Sequence, residues 1–282
     1  MRILMINISV FLVINVARLV FVIGGLNEYH LFRVVQFFEF PEYLPKLIYQ
    51  PWSLVTHMFL HIGLGHIFWN MLLFYWIGLL ITEYLGGKKL AGIYLMGGMF
   101  AILFQVAIMN IIPAFHKYVT PDSYALGASA SVNACLVAIA TLIPEYTVFL
   151  FLIGPVRLKY IAAAVVAISL ISIPDGNAGG QIAHIGGAVF GFIYTRQLQK
   201  GNDIAAWLTK LIDRISKPKS HRKLKKVYKR TDTSDDAYRE AKRYDEATID
   251  RILDKISKSG YNSLTKEEKE ILFSVSDKNK QR

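Results

Sequence analysis

Apolar side chains collect in long runs over residues 1–199, each run stopped by glycine, proline or charge, and charged side chains take over beyond residue 200. About twenty apolar residues cross a bilayer. The first run predicts a span over about 5–26, with Arg18 inside it at a cost in hydrocarbon. A signal peptide would have a shorter apolar core and a small-residue cleavage site, which this segment lacks. Residues 27–65 are broken by Pro41, Pro45 and Pro51 and rich in aromatics (Phe37, Phe38, Phe40, Tyr43, Tyr49, Trp52), which suits a connection lying at the membrane interface. Further spans are expected at His66–Tyr84, Leu90–Ile112, Gly127–Ile143, Tyr160–Ile173 and Gln181–Leu198. Between the fourth and fifth, apolar residues 148–153 suggest a short hairpin or an interfacial segment. The fold class expected is an all-α membrane bundle of six spans followed by a small soluble helical tail.

Composition sharpens this division. The chain has 282 residues, 53% of them hydrophobic, and a mean hydropathy of +0.35. Residues 196–282 hold 23 of the 32 Lys and Arg but only 14 of the 21 Asp and Glu, so the formal charge of +11 lies mostly in the tail. Beside a membrane such charge marks the cytoplasmic side and meets anionic lipid or a cytoplasmic partner, a more economical reading than nucleic-acid binding. The division expected is a membrane domain at 1–199, a basic linker at 200–234 (Lys217, Lys219, Arg222, Lys223, Lys225, Lys226, Lys229, Arg230) and a helical module at 235–282. Within that module Ile249, Ile252, Leu253 and Ile256 share one helical face and Gly260 stands as its cap. Thr265 with Glu268 forms a capping box for a last helix through Phe273. The single cysteine, Cys135, excludes an intrachain disulfide. With the N-terminus cytoplasmic, inner connections hold Arg2, Lys88, Lys89, Arg157 and Lys159, and outer ones only Arg33, Lys46 and Lys117, the bias expected of that orientation. With no organelle-targeting segment ahead of the first span, the expected location is a prokaryotic inner membrane with both termini cytoplasmic.

That topology sets two chemically capable side chains at one depth. Ser129 opens the fourth span behind Gly127 and Ala128, where free backbone N–H groups and the helix dipole favour developing negative charge. His184 lies near the start of the sixth, and an imidazole can take a proton near neutrality. Gly187 and Gly191 form a close-packing seam that can meet the small stripe Ala130, Ala134 and Ala138, bringing His184 to Ser129. No acidic partner is evident, so the pair reads as a dyad. His66 and Asn70 share a helix face and can donate to an oxyanion. His57 and His61 read as orienting groups rather than zinc ligands, since no HExxH or nearby carboxylate accompanies them. No metal or other cofactor is expected.

Taken together, His57-Met58-Phe59-Leu60-His61 leading to His66 and Asn70, then Gly127-Ala128-Ser129-Ala130, then Ala183-His184-Ile185-Gly186-Gly187 continuing to Gly191, resemble the rhomboid family of intramembrane serine proteases over about residues 45–199. The resemblance implies Ser129 as nucleophile, His184 as base, and an oxyanion hole made by His66, Asn70 and the Ser129 N–H. It implies a water-filled cavity open to the outside and substrates that are single-span membrane proteins cut near the outer end of their helix. Glu83 matches an acidic structural position of the family. Three positions depart from it: Ala130 stands where glycine is frequent, Ser53 follows Trp52 where arginine is common, and Asn133 occupies a position held in some members by a tyrosine stacked on the histidine, which implies that Asn133 either hydrogen-bonds His184 or leaves it less well oriented. The alternative is a catalytically silent relative that binds transmembrane helices without cutting them. A transporter is disfavoured by the few charges in spans two to six and the lack of an inverted repeat.

Overall fold

The computed structural model describes residues 2–151, 153–216 and 235–272. It divides into two units, residues 1–218 and 219–282. In the first, helix α1 (Arg2–Ile23) ends about three residues before the expected boundary, where Gly24 and Gly25 let the chain turn. Arg18 is therefore near its end. The Arg18 Nε donates to Glu28 at 2.8 Å, and Glu28 supplies the counter-charge that a cation needs there. Buried Asn7 fastens α1 to the bundle by donating to the Tyr94 hydroxyl at 3.1 Å.

The aromatic connection is more ordered than its prolines suggest. It contains α2 (Glu28–Gln36), opened by the Asn27 side chain accepting from the Tyr29 N–H, and the single turns α3 (Leu44–Leu47) and α4 (Ser53–Thr56). Strand β1 (Phe40–Pro41) pairs antiparallel with β2 (Tyr124–Ala125), a long-range contact absent from the sequence reading. It ties this connection to the loop that leads into the Ser129 segment, and the Glu42 N–H extends the tie to the Ser123 carbonyl at 3.1 Å.

Helices α5 (Leu64–Leu85) and α6 (Gly87–Ile111) follow, then α7 (Ser129–Leu142), a hairpin of β3 (Thr147–Leu150) and β4 (Gly154–Arg157), α8 (Leu158–Ile171) and α9 (Ala178–Gln199). Among the described residues, α1, α5 and α6 are long and apolar enough to cross a membrane, whereas α7 and α8 are apolar helices of 14 residues each. The chain is an integral membrane protein with a mostly helical fold.

Helix α7 is the axis of the bundle, with Ala134, Cys135, Leu136, Ala138 and Ile139 all fully buried or nearly so. Its neighbours come close because they are glycine where they touch it. A Cβ on Gly187 would strike the Ala130 carbonyl oxygen, and one on Gly191 the Ala134 carbonyl oxygen. From α6, Gly97 meets the Ala134 methyl and Gly98 the Ser131 hydroxyl. In a membrane, where lipid tails are as apolar as leucine, such close van der Waals packing is a main source of helix association.

The expected linker is corrected at its start. Residues 206–216 form α10 (Ala206–Ser216), and Ala205 is fully buried, its methyl 3.0 Å from where a Cβ on Gly92 of α6 would lie. Asp203 prepares the turn by accepting from the Tyr194 hydroxyl and the Ala205 N–H. The basic positions Lys217 to Arg230 lie outside the described residues. In the second unit, α11 (Asp235–Ser259) stops at Gly260 (φ +77°), and Ile252 and Leu264 are buried. Thr265 and Glu268 exchange the two hydrogen bonds of a capping box, opening a helical segment over residues 266–272. Phe273 lies outside the described residues.

Candidate active site

The chain enters α7 through Gly127, which stands at φ +123°, a conformation costly for any residue with a side chain. The expected fourth span therefore begins two residues late, with Ala128 in the cap position and Ser129 first in the helix. The turn is held from outside: the Gly127 N–H donates to the His57 carbonyl at 2.9 Å. No side chain caps α7, so the N–H groups of its first turn keep their donor capacity.

His184 lies on α9, whose first turn is capped by the Asn177 side chain accepting from the Gly180 N–H at 3.1 Å. The Gly187–Ala130 and Gly191–Ala134 contacts set α9 against α7 at close range. At this separation the His184 Nε2 and Ser129 Oγ stand 2.7 Å apart, a hydrogen bond between side chains 55 positions apart in sequence. The other ring nitrogen, Nδ1, faces the Ser169 hydroxyl of α8 at 3.5 Å, the outer limit of such a contact. Asn133, the sequence candidate for a His184 partner, is buried on the same face of α7 as Ser129, but the hydrogen bonds of His184 run to Ser129 and Ser169.

His66 sits across from the pair. A Cβ on Gly127 would come within 2.9 Å of its Cε1 and 3.8 Å of the Ser129 Oγ, so both the ring and the backbone angle exclude a side chain at 127. One turn along α5, Asn70 uses one amide proton on the His66 carbonyl at 2.8 Å, leaving the other available. His66, Asn70, Ser129, Asn133, Ser169 and His184 all line one cavity of about 480 Å³. Trp69 and Gln181 line it too. Gln181, three residues before His184 on one helix face, was findable by spacing. Ser169, one of two serines in the short fifth span, gave no such signal.

His57 and His61 lie outside that cavity. His57 is buried, its Nδ1 2.8 Å from the Ser53 carbonyl and its ring edge-on to Phe40. Burial lowers its pKa to about 4, with the Ser53 contact opposing, so it is a neutral brace. Its own carbonyl holds Gly127. His61 is also buried and packs edge-on against His66, with ring centroids 5.0 Å apart. Burial, then the neighbouring His66, lowers it to about 4. No cluster of three metal-ligating side chains occurs among the described residues.

The arrangement joins a hydroxyl, a base, free helix N–H groups and two further donor side chains around one cavity. A protein-family model described as the rhomboid domain matches residues 49–200, and one described as a family of unknown function matches residues 232–278. RHOMBOID-like protein 12, mitochondrial, from Arabidopsis thaliana is 29% identical over 161 residues, covering 53% of this chain and 47% of that protein. The chain thus matches about half the length of this curated relative.

Proposed function

This chain belongs to the rhomboid family, and from that membership we propose that it is an intramembrane serine protease acting through a Ser129–His184 dyad. The observation that carries the reading is the 2.7 Å contact between Nε2 and Oγ inside a cavity lined by hydrogen-bond donors. His184 takes the hydroxyl proton as Ser129 Oγ attacks a substrate carbonyl carbon. The carbonyl oxygen gains the negative charge, and the Ser129 N–H, the free Asn70 amide proton and His66 are the donors within reach of it. Collapse breaks the C–N bond, His184 delivers its proton to the leaving amine, and water then releases the acyl group by the same steps in reverse.

Substrates are membrane-spanning segments, which must unwind locally before a carbonyl is exposed; small or helix-weakening residues ease this. The proposed topology has six spans, both termini cytoplasmic, and the cavity opening outward, as the distribution of basic residues favours.

The test is cleavage of a labelled single-span substrate by the reconstituted full chain. Ser129→Ala and His184→Ala are each expected to reduce kcat by roughly 10⁴-fold or more, the scale seen for removal of a serine nucleophile or its base. Unchanged cleavage by Ser129→Ala overturns the assignment. Substrate binding without cleavage by any form favours the silent, helix-binding alternative.

A further inference from the structure

A second cavity, of about 390 Å³, lies at the far end of α1, and Asn15, Arg18, Glu28, Tyr29, Glu39 and His61 supply its polar lining. It shares Ile14, Leu31 and Val35 with an adjoining groove of about 630 Å³ that runs back between α1 and α2 along Val13, Val10 and Ile6 and presents only carbon. The two form one amphipathic recess. It shares no lining residue with the cavity around Ser129, and His61 stands between them with its edge on His66.

The polar end is chemically incomplete. Glu39 is 4% exposed, and burial pushes its carboxyl up to about 7 with no hydrogen bond or neighbouring charge to offset it. His61 is 2% exposed, and neither ring nitrogen has a hydrogen-bond partner. The Phe59 backbone lies near enough to raise its proton affinity slightly, but not in hydrogen-bonding geometry. A buried carboxylate without a counter-charge is costly, and so is a buried ring nitrogen without a partner. Arg18 spends one donor on Glu28, and the guanidinium has others to give. Two carboxylates against one guanidinium disfavour a purely anionic ligand. A ligand with an ammonium for Glu39, a phosphate for Arg18 and an acyl chain for the groove meets each requirement.

We propose that this recess binds one phospholipid with a primary-amine head group, its ammonium on Glu39, its phosphate on Arg18 and one acyl chain between α1 and α2. A primary ammonium donates hydrogen bonds to the carboxylate; a quaternary choline does not, which makes the site selective.

The test uses the purified full chain, delipidated in mild detergent and offered equimolar phosphatidylethanolamine, phosphatidylcholine and phosphatidylglycerol with matched acyl chains. Retained lipid is read by native mass spectrometry. Wild type is expected to keep one phosphatidylethanolamine in roughly tenfold preference to phosphatidylcholine, the value of one charge-assisted hydrogen bond. Glu39→Gln is expected to bring that ratio near parity, and Arg18→Ala to weaken all three. Ala17→Phe, on the groove wall, is expected to lower occupancy while keeping the preference, so the proposal remains testable should Glu39→Gln fail to fold. Equal retention of the three lipids by wild type, or an unaltered preference in Glu39→Gln, overturns it. So does a photo-crosslinker at Val35 that captures a transmembrane peptide in place of lipid from phosphatidylethanolamine vesicles. Lipid occupancy is read without proteolysis, so this inference and the protease reading fail separately.

Discussion

Asn70 gives one amide proton to the His66 carbonyl and keeps the second. In the proposed mechanism that second proton and the His66 ring act on charge that exists only once the carbonyl is attacked. His66→Ala and Asn70→Ala are each expected to lower kcat by roughly ten- to a thousandfold with KM little changed, measured on the same labelled substrate. A rise in KM at constant kcat removes them from that role. Ser169 is a weaker case, because 3.5 Å from Nδ1 is a loose contact. Ser169→Ala should lower kcat by less than about tenfold, while Ser169→Thr, which keeps the hydroxyl, should recover part of the loss. A null effect of both shows that His184 is oriented by packing alone. The residues that meet at the cavity were readable because residue type and position carry a signal: a serine behind glycine at a helix entry, a histidine on a small-residue helix. Ser169 was not, since its significance comes from which helix packs beside α9, and nothing local encodes that.

The joint between α7 and α9 is the element on which the site geometry depends. Gly191 lies against the Ala134 carbonyl and the Ala138 N–H, backbone atoms that cannot swing aside. Gly191→Val should force the helices apart, with a stability loss of about 1–3 kcal/mol or more in reversible unfolding and a parallel loss of cleavage. An unaltered unfolding midpoint would mean the helices slide to accommodate the methyls. The seam itself could be seen in sequence from the four-residue spacing of Gly187 and Gly191. Less legible was where each helix starts. Gly127 reads as a small residue inside a span, yet its positive φ puts it outside the helix, and only the carbonyl of the sequence-distant His57 explains why the turn stays there. The β1–β2 pair escaped notice for a similar reason: so short a pairing carries no alternation to read.

The membrane unit extends past its last long helix. Charge density beyond residue 200 suggested a linker beginning there, but Asp203, Ala205 and Thr209 dock against the bundle first. Truncation after Pro218 is therefore expected to leave cleavage in detergent within about twofold of the full chain. Truncation after Gln199 exposes Gly92 and removes the Asp203 contacts, and should lower the midpoint of thermal unfolding by a few degrees. Equal midpoints for the two truncations would show that α10 adds nothing to the membrane unit. The broad two-part organisation was legible because hydropathy and charge change sharply near residue 200. The exact seam was not, because a short amphipathic helix with Lys210 and Arg214 resembles linker until its partner is known.

The shortness of α8 has a consequence for the surroundings of the protein. The helix has 14 residues. With a rise of about 1.5 Å for each of them, it is about 21 Å long. The hydrocarbon core of a bilayer is about 30 Å thick, and α5 and α6 are long enough to match it. Half of the residues of α8 are exposed, Ile168, Leu170 and Ile171 among them. In the proposed six-span topology, acyl chains along that flank compress or tilt to meet it, at a modest cost for each ångström of mismatch. A thinner bilayer relieves that mismatch, so the protein should partition toward thinner membranes and deform thicker ones mainly on the side where α8 stands.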